Sequence, residues 1–188
     1  YIFDPVALTI TPTVSMQTVR YGAAKIVYNN KIYVIGGDST TAIATCEVFD
    51  ITTGKWTYIA SLNTTREYAS VVIYNENICV IGGTVGSSAL NTCEIYNAIN
   101  NYWTVINPTL NVGLYGTASC ILNDTIYIIG GKNAGGVVVS TVNSLNSFTN
   151  NWSCRETNVS NANAPRTKAA SVVYNLSLIH ISEPTRQE

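Results

Sequence analysis

Short apolar runs recur along this chain in pairs, and two polar residues split each pair. A run ending at Tyr28 and one ending at Ile35 flank Asn29-Asn30. Runs ending at Tyr74 and Ile81 flank Asn75-Glu76, and runs ending at Leu122 and Ile129 flank Asn123-Asp124. Runs rich in Val, Ile and Tyr around two turn-forming residues predict β-hairpins. Each hairpin closes on a glycine pair: Gly36-Gly37, Gly82-Gly83 and Gly130-Gly131. Two more strands follow each pair. One is Thr45–Asp50, matched by Thr92–Asn97, and the other starts at Trp56, Trp103 or Trp152. The glycine spacings are 46 and 48 residues, the Trp spacings 47 and 49. The steps Phe49–Trp56, Tyr96–Trp103 and Leu145–Trp152 are all seven residues. A four-strand antiparallel unit repeating at that period predicts the blades of a β-propeller.

These features resemble the Kelch repeat: the diglycine after an apolar strand, the aromatic seven residues before a Trp, and an Arg sixteen residues before the glycines at Arg20 and Arg66. The resemblance covers residues 1–175 and implies an all-β, incomplete Kelch β-propeller. It also assigns structural roles to the glycine pairs and to Trp56, Trp103 and Trp152. Inner strands crowd near a propeller axis, where a residue without Cβ lets backbones approach, and an indole fills the wedge between blades. The third unit departs from the pattern, with Leu114 for Arg, Val142 for Cys, Asn143 for Glu and Leu145 for the aromatic.

The repeat places the end of a preceding blade at 1–17 and full blades at 18–62, 63–110 and 111–162. The first strand of a further blade falls at 163–176. At 178–183, where the register calls for a strand and a glycine pair, the chain reads Leu178-Ile179-His180-Ile181-Ser182-Glu183. The segment 177–188 resembles a translated sequencing adapter and is expected to be a non-native tail.

Composition narrows the function. Net charge is −1 and charged residues are 11% of the chain, so nucleic-acid binding has no electrostatic support. No apolar run reaches the length of a helical membrane span. Five cysteines, none in a C-x-x-C pair, suit buried free thiols in a reducing, cytoplasmic setting rather than zinc. The one histidine, His180, cannot assemble the His-containing copper site of a galactose-oxidase-like enzyme. No nucleophile–base constellation stands out. No cofactor and no metal are expected, and the chain is read as not an enzyme.

Loop lengths indicate which face would bind. The turns within hairpins and the aromatic-to-Trp step are constant. From the second Gly to the aromatic position the distance is 12, 13 and 14 residues, and from Trp to the Arg position 10, 11 and 14. All variation falls on the opposite face, where insertions and recognition concentrate. Arg20, Arg66 and Arg166 enter inner strands from this face, beside Tyr21, Glu67, Tyr115 and Thr167. Asp38, Thr84 and Lys132 follow the glycines there. In Kelch adaptors that capture acidic peptides, matching arginines line the pocket, and the guanidinium fork suits a carboxylate. The alternative is that each Arg caps its own blade, through Glu47 or Glu94, or is solvated.

The resemblance implies a protein-interaction module with a protein partner, recognised for instance through an acidic peptide. Kelch propellers of this style commonly follow a BTB domain in substrate adaptors of cullin-type ubiquitin ligases, where a missing domain would make the full-length protein an oligomer. An actin-binding Kelch protein is the alternative, with a galactose-oxidase-like fragment or a secreted scaffold behind it.

Overall fold

The computed structural model describes residues 2–146, 151–156, 167–174 and 177–181, and all regular elements among them are strands. β1 (Ile2–Asp4) and β2 (Thr9–Thr11) pair as a hairpin. The first complete sheet holds β3 (Ala24–Tyr28), β4 (Lys31–Ile35), β5 (Cys46–Asp50) and β6 (Lys55–Ile59), in that order. The second begins with β7 (Ser70–Tyr74) and β8 (Asn77–Ile81). A small hairpin of β9 (Thr84–Val85) and β10 (Ser88–Ala89) then stands outside it, and β11 (Cys93–Asn97) and β12 (Tyr102–Ile106) complete it. β13 (Ala118–Leu122), β14 (Thr125–Ile129), β15 (Thr141–Asn146) and β16 (Asn151–Glu156) form the third. β17 (Ala170–Tyr174) and β18 (Ser177–Ile181) form a last hairpin.

The chain is an all-β, incomplete propeller: three antiparallel four-stranded blades with strand pairs on either side. The first strand of each blade packs on the first strand of the next: β3 on β7, β7 on β13, β13 on β17.

Beyond the first strand of the last blade, Ser177–Ile181 pairs with Ala170–Tyr174. The register Ala170↔Ile181 matches Ala118↔Ile129 and Ala24↔Ile35. The run Leu178–Ile181 keeps strand-forming composition, and a hairpin needs no glycine pair to close. Residues 182–188 lie outside the described residues.

The hairpin turns explain their composition. Asn29, Asn30, Asn75, Glu76, Asn123 and Asp124 all have φ between +47° and +59°. Two successive left-handed residues make the turn whose twist matches the strands, and Asn and Asp tolerate that conformation.

The cores lie between blades rather than within one sheet, so alternation along a strand becomes alternation between neighbours. In β8, Ile78 and Val80 pack with Tyr33, Ile35, Val48 and Leu62 of the first blade. Cys79 and Ile81 of the same strand pack with Leu114, Ile126, Ile128 and Leu145 of the third. With both faces covered, the middle strands read as continuous apolar runs.

Each indole ties its blade to the connection leading in from the blade before. Trp56 Nε1 donates to Val14 O at 3.1 Å, Trp103 Nε1 to Ala60 O at 2.9 Å and Trp152 Nε1 to Pro108 O at 3.1 Å. The acceptors are themselves repeat-equivalent, 46 and 48 residues apart. The cysteines are free thiols. Cys46, Cys79, Cys93 and Cys120 are buried and Cys154 is exposed. Burial pushes the Cys46 thiol up to about 11 and the Cys93 thiol up to about 12, so both stay protonated and inert at neutral pH.

Candidate functional site

The glycine pairs create an axial rim. An added Cβ on Gly36 would strike the carbonyl oxygen of Arg66 in the next blade, and one on Gly82 would strike that of Leu114. Without those atoms, Gly37 N reaches Arg66 O at 2.8 Å and Gly83 N reaches Leu114 O at 2.9 Å. The residue after each pair then bonds back to the segment leading into its own first strand. Tyr21 and Asp38 exchange backbone hydrogen bonds of 3.0 and 2.8 Å. Glu67 pairs with Thr84 and Tyr115 with Lys132 in the same reciprocal way.

A second inter-blade chain runs beside these pairs. Tyr68 N donates to Gly22 O at 2.7 Å, Gly116 N to Tyr68 O at 2.8 Å and Lys168 N to Gly116 O at 2.6 Å. Gly22, Tyr68, Gly116 and Lys168 are repeat-equivalent, and all have φ between +51° and +61°. Glycines alternate with large side chains along the chain. The Tyr68 ring rests against Gly22, where a Cβ would lie 3.0 Å from it, and the Lys168 ammonium sits 4.6 Å above the same ring. The Tyr21 and Tyr68 rings tilt at 56°, with centroids 6.5 Å apart.

Arg20 and Arg66 do not face this rim. The Arg20 and Arg66 side chains are 0% exposed, and each donates to the Glu of its own blade, Glu47 or Glu94, at 2.6 Å. Arg20 also donates to Gly36 O and Thr45 O, and Arg66 to Gly82 O and Thr92 O. Each Glu accepts two further backbone N–H groups from the incoming connection: Gln17 and Thr18 on Glu47, Asn63 and Thr64 on Glu94. The expectation that Arg20 and Arg66 hold an acidic ligand is therefore corrected: both guanidinium groups cap the ends of their own blades. A buried charge needs a partner, and a strand-borne carboxylate supplies it where no solvent or ligand reaches. Arg166 lies outside the described residues.

In the third blade Leu114 and Asn143 replace the pair, and the site holds a cavity of about 200 Å³ lined by Leu114, Val139, Val112, Asn143 and Cys154, among others. We expect Leu114→Arg or Asn143→Glu alone to cost about 3 kcal/mol or more, because each strands a buried charge. The double variant should recover most of that loss, since the Arg and Glu would meet as in the other two blades. A double-mutant cycle by urea denaturation reads the coupling, and additive losses would contradict the shared geometry.

The other rim residues divide by burial. Thr84 is 3% exposed, and its hydroxyl is spent on Gly86 O and Ser88 O of its own hairpin, so it offers no free donor. Tyr21 is 58% exposed, while Glu67, Tyr115, Lys132 and Thr167 are half-buried. Asp38 is 8% exposed, and its Oδ1 has no hydrogen-bond partner. Burial and then the Asp38 carboxylate push the Tyr21 phenol up. The same two causes push the Glu67 carboxyl up, and Lys168 pulls it back down. Tyr68 and Lys168 escaped the sequence reading. Their signal was the repeat position two residues after the Arg, where Gly22 and Gly116 mark a left-handed backbone.

Among the described residues no group of three or more His, Cys, Asp or Glu could hold a metal ion. Nor is any helix among the described residues long and apolar enough to cross a membrane.

Comparison with known proteins agrees with this architecture. The Spermatocyte protein spe-26 of Caenorhabditis elegans is 35% identical over 117 residues, covering 57% of this chain. This chain spans 20% of that relative's length. A solved structure, that of YjhT, superposes with a TM-score of 0.73 at 18% identity, over 86% of this chain and 58% of its own, and shares the fold. The KLHDC2/KLHL20/DRC7 Kelch-repeats domain matches residues 1–181, and with blades, glycine pairs and indoles in place the chain belongs to the Kelch-repeat family.

Proposed function

We propose that this chain is the partner-binding propeller of a substrate-recognition adaptor for a cullin-type ubiquitin ligase, acting in the cytoplasm. A Kelch-repeat domain supports a protein-interaction module in general. The observation that carries the reading is the division of labour among polar groups. The buried ones, Arg20, Arg66, Glu47 and Glu94, pair with each other within the blades. Exposed Tyr21 and half-buried Glu67, Tyr115 and Lys132 stand at one axial rim. Connections of unequal length surround them, as on scaffolds whose loops recognise partners.

The test is affinity purification of the full-length protein from cells. Recovery of a cullin scaffold is expected, together with a partner protein that accumulates when the adaptor is depleted. The partner should be lost on Tyr21→Ala and Tyr115→Ala while the cullin is retained. Co-sedimentation with filamentous actin and no cullin would replace the adaptor reading with a cytoskeletal one.

A further inference from the structure

We propose that the rim between the first and second blades binds a lysine or arginine side chain of the partner protein, held by Asp38 and Glu67 against the Tyr21 and Tyr68 rings. The inference rests on the partner-binding reading above and gives the partner a chemistry opposite to that expected from the arginines.

Asp38 carries the argument. Its residue is almost wholly buried, its backbone is taken by Tyr21, and its Oδ1 has no hydrogen-bond donor. A carboxylate oxygen withdrawn from water without a partner is costly, and a cationic donor would remove that cost. Glu67 lies on the other side of the same seam. The bond from Gly37 N to Arg66 O joins the residues immediately before Asp38 and Glu67, so the two acids enter the rim side by side from adjacent blades. Neither forms an ion pair among the described residues. Burial first and then the nearby Asp38 carboxylate push the Glu67 carboxyl up.

The aromatic groups point to the same ligand. Lys168 already parks its ammonium over the Tyr68 ring, so the platform accepts a cation from within the chain. Tyr21, tilted against Tyr68, is largely exposed and has no such cover. The cations that would repel a basic ligand are mostly withdrawn. Arg20 and Arg66 are buried and neutralised, and Lys132 belongs to the rim of the third blade. Lys168 remains, against two carboxylates. Arginine and lysine both fit, the guanidinium offering more donors and stacking on the rings.

The experiment selects binders from a random displayed peptide library on the intact immobilised chain. Enriched peptides should share a lysine or arginine whose replacement by alanine abolishes binding. Asp38→Asn and Glu67→Gln, which keep shape and remove charge, should each weaken those peptides about tenfold, the loss of one charge-assisted contact. Tyr21→Ala should weaken them too, and its exposed ring makes it safe for folding if an acid variant melts early. Enrichment of neutral or acidic peptides, indifferent to these changes, would overturn the cation site and leave the partner-binding reading standing. Basic peptides that bind the variants undiminished would overturn the placement. No enrichment at all would overturn both.

Discussion

Arg66→Ala is expected to cost about 3–5 kcal/mol of stability, the usual penalty for breaking a buried pair and leaving one charge behind. In the native chain, Arg66 and Glu94 meet at 2.6 Å with both side chains 0% exposed. Removing the guanidinium leaves the Glu94 carboxylate with only the Asn63 and Thr64 donors, and it also takes a donor from Gly82 O and from Thr92 O, the latter keeping only Gly82 N. Arg66→Lys should rescue little, because one ammonium cannot bridge Gly82 O, Thr92 O and Glu94 Oε1 as a planar fork does. Replacing both partners with apolar residues of similar volume should cost far less than Arg66→Ala alone, since no charge is then stranded. Chemical denaturation of the three variants decides the matter. An Arg66→Ala chain within about 1 kcal/mol of wild type, the range of an exposed pair, would refute the capping role and return the residue to the binding surface.

Gly82→Ala should be nearly as damaging, at about 2–5 kcal/mol, from a left-handed backbone penalty and an overpacking penalty together. Gly82 has φ +64°, and its added Cβ would meet the Leu114 carbonyl of the next blade. Relief by separating the blades would stretch the 2.9 Å bond from Gly83 N to Leu114 O. Gly86→Ala separates the two contributions. Its φ is +58°, yet nothing lies within 4 Å of the added atom. That control should lose only the conformational part, about 1–2 kcal/mol. Equal losses at both positions, measured by thermal or urea unfolding, would show that close approach between blades does not explain the diglycine.

Features governed by short-range geometry were readable from the chain itself. The Asn-rich turns announce a left-handed pair of residues, and the seven-residue step from Phe49 to Trp56 is one hairpin long. The Trp contact on the preceding blade recurs because its acceptor recurs with the same period. The environment of the arginines was less accessible. The offset of sixteen residues from Arg to Gly was plain, but burial depends on Glu47 and Glu94, which lie 27 and 28 residues away across a sheet. The spacing alone fits a solvated rim as well as a capped blade. Tyr68 and Lys168 were hidden for another reason. They occupy a left-handed site where composition suggests glycine, held by backbone bonds to neighbouring blades that no local pattern encodes.

The main-chain links from Gly22 through Tyr68 and Gly116 to Lys168 have a consequence for how such a surface can change over time. Since each joint is made by an amide and a carbonyl, the same bond is kept whether the joint carries glycine, an aromatic or a cation. Selection can thus rewrite the lettering at the mouth of the propeller while the frame beneath it stays the same, which lets one architecture serve successive clients.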